Sequence, residues 1–242
     1  MFEGSVAGLH RWPVKSLRGE RVDAARFDDR GMAGDRAYAL IDQREKRKGG
    51  VLTVRQNPGM LSWRSAYGRT VVDSPAPPAL SAPDGTRWSW TDPALPGALT
   101  ESFGMPLELR AADGMQDRGP TVLVTIEASR AALEEELGAA VDLARFRTNV
   151  HLTLDAPAFA EEDWGAGTTI TIGDVELSAV GDDSGPCIRC AVPSWDPQGR
   201  ERWPKLQTWL IERHENKFGL IMRVSRPGVA RAGDVAWVQP AL

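Results

Sequence analysis

The chain has 242 residues, of which 42% are hydrophobic and 26% charged, and a formal net charge of −4. That length allows one large domain or two small ones with a sizeable core, and that composition is ordinary for a globular protein. The acidic balance argues against a whole-molecule nucleic-acid binder; two cysteines give no disulfide framework and point to a reducing, cytoplasmic setting; and no apolar run reaches the length of a membrane span.

Met1 to His10 shows no basic stretch followed by an apolar core, so no secretory signal is expected. Seventeen prolines and 24 glycines, with few long helical patterns, predict a strand-rich chain with many turns. Gly4–Leu9 reads as a first strand. The loop from His10 to Gly19 follows, with Pro13 fixing an extended turn. Lys15 and Ser16 on that loop set an ammonium beside a hydroxyl, a pair suited to phosphate or simply to solvent. Residues 1–50 hold 11 Lys/Arg against 8 Asp/Glu, a surplus that fits a small anionic ligand as well as a solvated basic face.

Val22–Phe27 alternates weakly as a strand. Gly34–Asp35–Arg36 is a turn in which Arg36 is either a ligand arm or the partner of Asp35. Ala37–Ile41 reads as a strand, Asp42–Gly50 as a polar hairpin loop and Val51–Arg55 as the returning strand. Ser74–Pro83, with four prolines, reads as a linker. Arg87–Thr91 is a hairpin arm and Asp92–Gly97 another turn. A domain boundary is expected within Met105–Pro120, dividing the chain into 1–112 and 113–242.

Thr121–Ile126 is a continuous apolar run, the pattern of a buried strand. Ser129 reads as the N-cap of a helix carrying Ala132, Leu133 and Leu137 on one face, with Gly138 as its stop. Val150–Leu154 is a strand, Phe159–Trp164 an acidic loop, and Thr168–Ile172 with Val175–Val180 a hairpin. Pro204 opens a helix with Leu206, Trp209 and Leu210 on one face. Leu220–Val224 and Val235–Val238 are closing strands.

Both cysteines lie in Pro186–Cys187–Ile188–Arg189–Cys190. A thiolate is a soft ligand and a strong nucleophile, and the guanidinium of Arg189 favours it and can also hold an anion. The spacing itself leaves three readings open: a redox dithiol, half of a zinc site, or two buried thiols packed as small hydrophobes. A zinc site would have to recruit two of His10, His151 and His214, none of which has the pair spacing of a zinc finger.

Several pieces in order resemble the MOSC family, named for the C-terminal domain of molybdenum cofactor sulfurase. They are Trp12–Pro13–Val14–Lys15–Ser16, Gly34–Asp35–Arg36, Thr53–Val54–Arg55–Gln56, Phe146–Arg147–Thr148–Asn149, Glu162–Asp163–Trp164, Ile172–Gly173–Asp174–Val175, the Cys187–Ile188–Arg189–Cys190 loop with Asp196–Pro197, Phe218–Gly219 and Gly233–Asp234. The likeness is closest to the branch holding the mitochondrial amidoxime-reducing component and its bacterial relatives. Trp12 stands where that branch has tyrosine, Thr148 where it has proline, and the Glu162–Trp164 segment is one residue short.

The resemblance implies a mainly β (α+β) protein: a MOSC-type β-barrel, an N-terminal MOSC-associated β-rich domain and a few short helices. It implies a molybdenum–molybdopterin cofactor with Cys190 as metal ligand and catalytic residue. Lys15, Ser16, Arg36, Arg147, Asn149 and Arg189 are then the cofactor-binding positions. The implied reaction is reduction of a small N-hydroxylated compound with electrons from a separate protein, without nucleic acid or membrane as partner. Two rival readings remain open: a carrier of cofactor or sulfur, and a cofactor-free enzyme with Cys190 as nucleophile. With the resemblance set aside, the same cations are open to pyridoxal phosphate or to no cofactor.

Overall fold

The computed structural model describes residues 1–70, 72–73, 76–111, 119–179, 185–188 and 192–241, with backbone alone for 185–188 and 192. Seven strands form its central element: β1 (Phe2–Arg11), β2 (Val122–Ile126), β3 (Val150–Leu154), β4 (Thr169–Ile172), β5 (Val175–Ser178), β6 (Lys217–Arg226) and β7 (Val235–Gln239). Their order is β2-β3-β1-β7-β4-β5-β6, and β6 pairs back onto β2 through Val122↔Met222 and Val124↔Leu220. The sheet is therefore a closed barrel, which removes its free edges.

The burial pattern explains why these segments are strands. In β4, β5 and β7 every second residue is buried, with Ile170, Ile172, Val175, Leu177, Ala236 and Val238 facing the interior. β2 is buried throughout because both of its faces are covered. Val122, Val124 and Ile126 face the barrel interior, while Leu123 lies in an outer cluster with Leu133, Leu137, Phe146, Leu206, Leu210 and Phe218. That outer layer is supplied by two helices, one at Glu127–Leu137 and one at Pro204–His214. The first is the crossover between the parallel strands β2 and β3.

A second core lies in the N-terminal half and gathers Leu17, Leu40, Leu52, Met60, Trp63, Leu80, Leu95 and Leu99. Small three-stranded sheets frame it: Tyr38–Asp42 with Gly50–Val51 and Leu107–Ala111, and Arg64–Ala66 with Ala79–Ser81 and Arg87–Ser89. Strand pairing links this half to the barrel. β1 lies between β3 and β7, and Gly228–Arg231 pairs with Ala24–Asp28.

Four local expectations need correction. The returning strand is only Gly50–Val51; beyond it Gln56 folds back, and its Oε1 accepts from the Thr53 amide at 2.9 Å, which makes a turn. The proline-rich segment contains the strand Ala79–Ser81, paired on both sides, so it is not a linker. Asp92–Gly97 runs into a helix, Leu95–Phe103, in which Pro96 occupies the first turn and Leu95, Leu99 and Phe103 are buried. Ser129 caps nothing: the helix starts at Glu127 directly from β2. Its buried hydroxyl instead donates to Glu161 Oε2 at 2.7 Å and accepts from the Phe159 amide at 2.8 Å.

Glu161 is 1% exposed, and its Oε1 has no hydrogen-bond partner among the described residues. Burial pushes its carboxyl up to about 7. A carboxyl raised in this way holds its proton more tightly in the folded chain than in the unfolded one. Its stabilising contribution is complete below the ordinary value of 4.5 and is lost as pH rises through about 7. Glu161→Gln keeps an acceptor for Ser129 and removes the titration. Its stability relative to wild type is expected to rise by at most about 3 kcal/mol between about pH 4 and about pH 8. Urea denaturation across that range checks it, and a difference that does not change with pH contradicts it.

Candidate functional site

β1 ends at Arg11, and the chain loops through Trp12–Gly19 before returning in Glu20–Val22, paired as Leu9↔Val22 and Arg11↔Glu20. The base of this loop is closed by a buried ion pair. Arg11 donates to Glu20 Oε1 from Nε at 3.0 Å and from Nη2 at 2.8 Å, and both side chains are essentially inaccessible. Gly19 allows the closure: a Cβ there would sit 2.1 Å from the Arg11 carbonyl oxygen and 2.7 Å from the Trp12 ring.

The body of the loop lies along residues 35–38. The Trp12 amide donates to Asp35 Oδ1 at 2.8 Å, and the Trp12 carbonyl accepts from the Arg36 amide at 2.8 Å. The Lys15 amide donates to the Tyr38 carbonyl at 2.8 Å, which leaves Lys15 half-buried on the loop. Ser16 is 8% exposed, and its Oγ accepts from the Val54 amide at 3.3 Å. A serine oxygen that accepts in this way still has its own O–H to donate.

A third segment joins them. The Arg36 guanidinium is paired with the Asp35 carboxylate and donates to the Arg147 carbonyl at 3.3 Å and to Asn149 Oδ1 at 3.5 Å. Arg147 donates to the Leu17 carbonyl at 2.8 Å, with its guanidinium 4.4 Å above the centre of the Trp12 ring. The Trp12 indole donates to the Thr148 carbonyl at 2.9 Å. Trp12 is thus the platform on which the three segments meet. Its aromatic face suits a guanidinium, and its N–H ties down the turn that carries Arg147.

Ser16, Arg36 and Arg147 all have left-handed backbones, with φ of 70°, 50° and 57°. Each such non-glycine residue costs on the order of 1 kcal/mol or more, and persists only where its surroundings hold it. Three of the six such non-glycine residues among those described lie in these joined loops.

Asn149 has a different role from the arginines. It is 1% exposed, and its side chain accepts from the Leu123 amide at 3.1 Å and donates to the His10 carbonyl at 3.3 Å, clasping β1, β2 and β3 together. Thr148, in the place of the resembled proline, fixes the turn by its hydroxyl, which donates to Leu123 or Val150 carbonyls and shares a 2.9 Å hydrogen bond with Thr125. Thr125 in turn meets His151 Nδ1 at 2.9 Å, and His151 Nε2 meets Glu127 at 2.7 Å. Burial lowers the His151 pKa against the pull of that carboxylate.

Arg189 and Cys190 lie outside the described residues, as does the side chain of Cys187. The backbone of Gly185–Ile188 is a strand on β6, with Pro186↔Leu220 and Ile188↔Lys217. Among the described residues no group of three His, Cys, Asp or Glu could hold a metal, and no helix is long and apolar enough to cross a membrane.

The sequence named the cations of this cluster and offered Asp35 as the partner of Arg36, and that ion pair is present. Trp12 was not named as the residue that joins them, although it precedes a proline in a loop of basic residues.

Comparison with known proteins bears on the whole chain. No curated protein matches it. A crystal structure of the YuaD protein from Bacillus subtilis matches over 100% of both chains at 14% identity and a TM-score of 0.54, a likeness of fold. YiiM from Geobacillus stearothermophilus aligns with 49% of this chain and 53% of its own at 19% identity, and its TM-score of 0.38 is too low to compare folds. The model of the MOSC N-terminal beta barrel domain matches residues 3–86. With the MOSC domain model matching residues 115–236, half of its length, the chain belongs to the MOSC domain family.

Proposed function

We propose that this protein binds a phosphorylated pterin cofactor of molybdenum and reduces N-hydroxylated compounds with electrons from a separate protein. The observation that carries the reading is the joined cluster of Ser16, Arg36 and Arg147 around Trp12, three loops held in left-handed geometry and bearing cations. Lys15 on the first of these loops adds an ammonium.

The residues present fit such a group. A phosphorylated pterin is a polyanion, and Lys15, Arg36 and Arg147 with the Ser16 hydroxyl form a donor set for phosphate. Asp35 holds Arg36 in place as its ion-pair partner. In this reading the metal arrives with its own ligands and takes a single thiolate from the chain. Cys190 is that thiolate in this reading, and Arg189 adds a further cation. Asn149 supports the site by setting the turn from which Arg147 projects.

When bound, the cofactor supplies two-electron redox chemistry at the metal. The overall change takes an amidoxime, two electrons and two protons to an amidine and water. Lys15, Ser16, Arg36 and Arg147 would hold the anionic end of the cofactor and orient it, and Cys190 would hold the metal.

The test is reduction of benzamidoxime by the purified full chain with reduced viologen as artificial donor. Benzamidine formation that depends on the chain supports the reading. Bound molybdenum without turnover, under conditions in which a known reductase of this class is active, would replace the reductase with a carrier.

A further inference from the structure

We propose that the turn Arg145–Asn149 is a two-armed brace, in which Arg145 is the positioning residue that fixes the chain where it leaves the cysteine loop. Its purpose rests on the cofactor reading above, and its geometry does not.

The two arms are arginines two residues apart. Arg147 reaches one way, to the Leu17 carbonyl and the Trp12 ring. Arg145 reaches the other way. Its Nη1 donates to the carbonyls of Pro193 at 3.0 Å and Trp195 at 2.6 Å, three and five residues after Cys190. Its guanidinium also lies 5.4 Å from the centre of the Trp203 ring, on the residue before the Pro204–His214 helix. One side chain therefore ties both ends of the segment from Pro193 to Trp203. Charged donors on two carbonyls are stronger than neutral hydrogen bonds, and partial burial strengthens them further.

The turn between the arms is anchored. Phe146 is 2% exposed and stacks on Phe218 at 4.0 Å, on β6, the strand that also pairs with Gly185–Ile188. Thr148 and Asn149 tie the turn to β2. The chain entering the cysteine loop, the chain leaving it and the Lys15–Ser16 loop are thus referred to one fixed point. Burial holds the Arg145 pKa below its ordinary value, as expected for a guanidinium kept on carbonyls rather than on a carboxylate. A cofactor gripped at both places needs that spacing constant, and Arg-x-Arg on an anchored turn provides it.

The test is amide hydrogen exchange of the full chain, wild type against Arg145→Ala, with molybdenum counted in the same samples. Amides of 194–203 are expected to exchange at least about tenfold faster in the variant, from the loss of two charge-assisted hydrogen bonds. Those of the Trp12–Gly19 loop and the barrel strands stay unchanged. Methylguanidinium added to Arg145→Ala should slow the exchange again, which a mere packing role would not allow. Arg145→Lys, which keeps the charge but not the stack on Trp203, should fall between, and it carries the comparison if the alanine variant does not fold. Unchanged exchange in 194–203, an even acceleration over the whole chain, or no response to methylguanidinium would overturn the brace. If the exchange pattern appears in protein that holds no molybdenum although the other molybdenum enzymes of the producing host are loaded, the brace stands and the cofactor reading falls; if molybdenum is bound and the pattern is absent, the reverse holds.

Discussion

Cys190→Ser is expected to abolish bound molybdenum and amidoxime reduction together, while Cys187→Ser keeps its metal and a measurable fraction of activity. A hydroxyl cannot replace a thiolate as a soft, negatively charged ligand. A cysteine that only packs becomes serine at modest cost once the new hydroxyl finds a partner. The backbone of Cys187 lies in a strand paired with β6. Metal content and single-turnover reduction in both variants, with circular dichroism as the folding control, check the prediction. Equal and complete loss in both would indicate a redox dithiol. Full activity in Cys190→Ser would remove the metal-ligand assignment.

The second large effect is on stability, at the base of the Trp12–Gly19 loop. Glu20 accepts from Arg11 twice and from the amides of Tyr67 at 3.0 Å and Gly68 at 2.8 Å. Arg11 also lies 4.7 Å from the centre of the Tyr67 ring. Glu20→Ala leaves a buried guanidinium without its counter-charge and two amides without their acceptor. It should destabilise the protein by about 3–5 kcal/mol. Arg11→Met should cost a similar amount, because it strands the carboxylate. The double variant Arg11→Met/Glu20→Leu should cost clearly less than the sum, since desolvation of the pair largely offsets its attraction. Urea denaturation of the four proteins gives the cycle. Single variants within about 1 kcal/mol of wild type would show that the pair is not a structural clamp.

Much of the barrel was legible in the sequence because its strands are half-buried and alternate. Ile170, Ile172, Val175 and Leu177 flank the Gly173–Asp174 turn, and this is the clearest hairpin pattern in the chain. The run Val122–Ile126 read as buried for a sound reason, since both of its faces are covered. The Leu95–Phe103 helix was obscured by Pro96, a turn residue elsewhere but compatible with the first turn of a helix. Its signals were Leu95, Leu99 and Phe103 at helical spacing and a left-handed Gly104 at its end. Ser129 shows the opposite failure. A residue type that favours caps was recruited by a tertiary partner, Glu161, 32 positions away.

The site was legible as residue types and not as an arrangement. Lys15, Ser16, Arg36 and Arg147 were named from motifs, but their separation in sequence carries no sign that Trp12 would join their loops. Asn149 was named as a cofactor-binding position from its motif, which carries no sign that its side chain clasps three strands. Arg145 gave no signal, because its side chain's hydrogen-bond partners are backbone carbonyls, which any sequence supplies.

The central claim is that the loops joined at Trp12 and the thiolate of Cys190 serve one molybdenum-bearing cofactor. It is tested most directly by counting molybdenum and pterin together in the full chain. The chain would be produced with added molybdate in a host whose other molybdenum enzymes are shown to be loaded. The expected result is molybdenum and pterin in equal amounts, approaching one of each per chain. Neither metal nor pterin in folded protein from that host would contradict it.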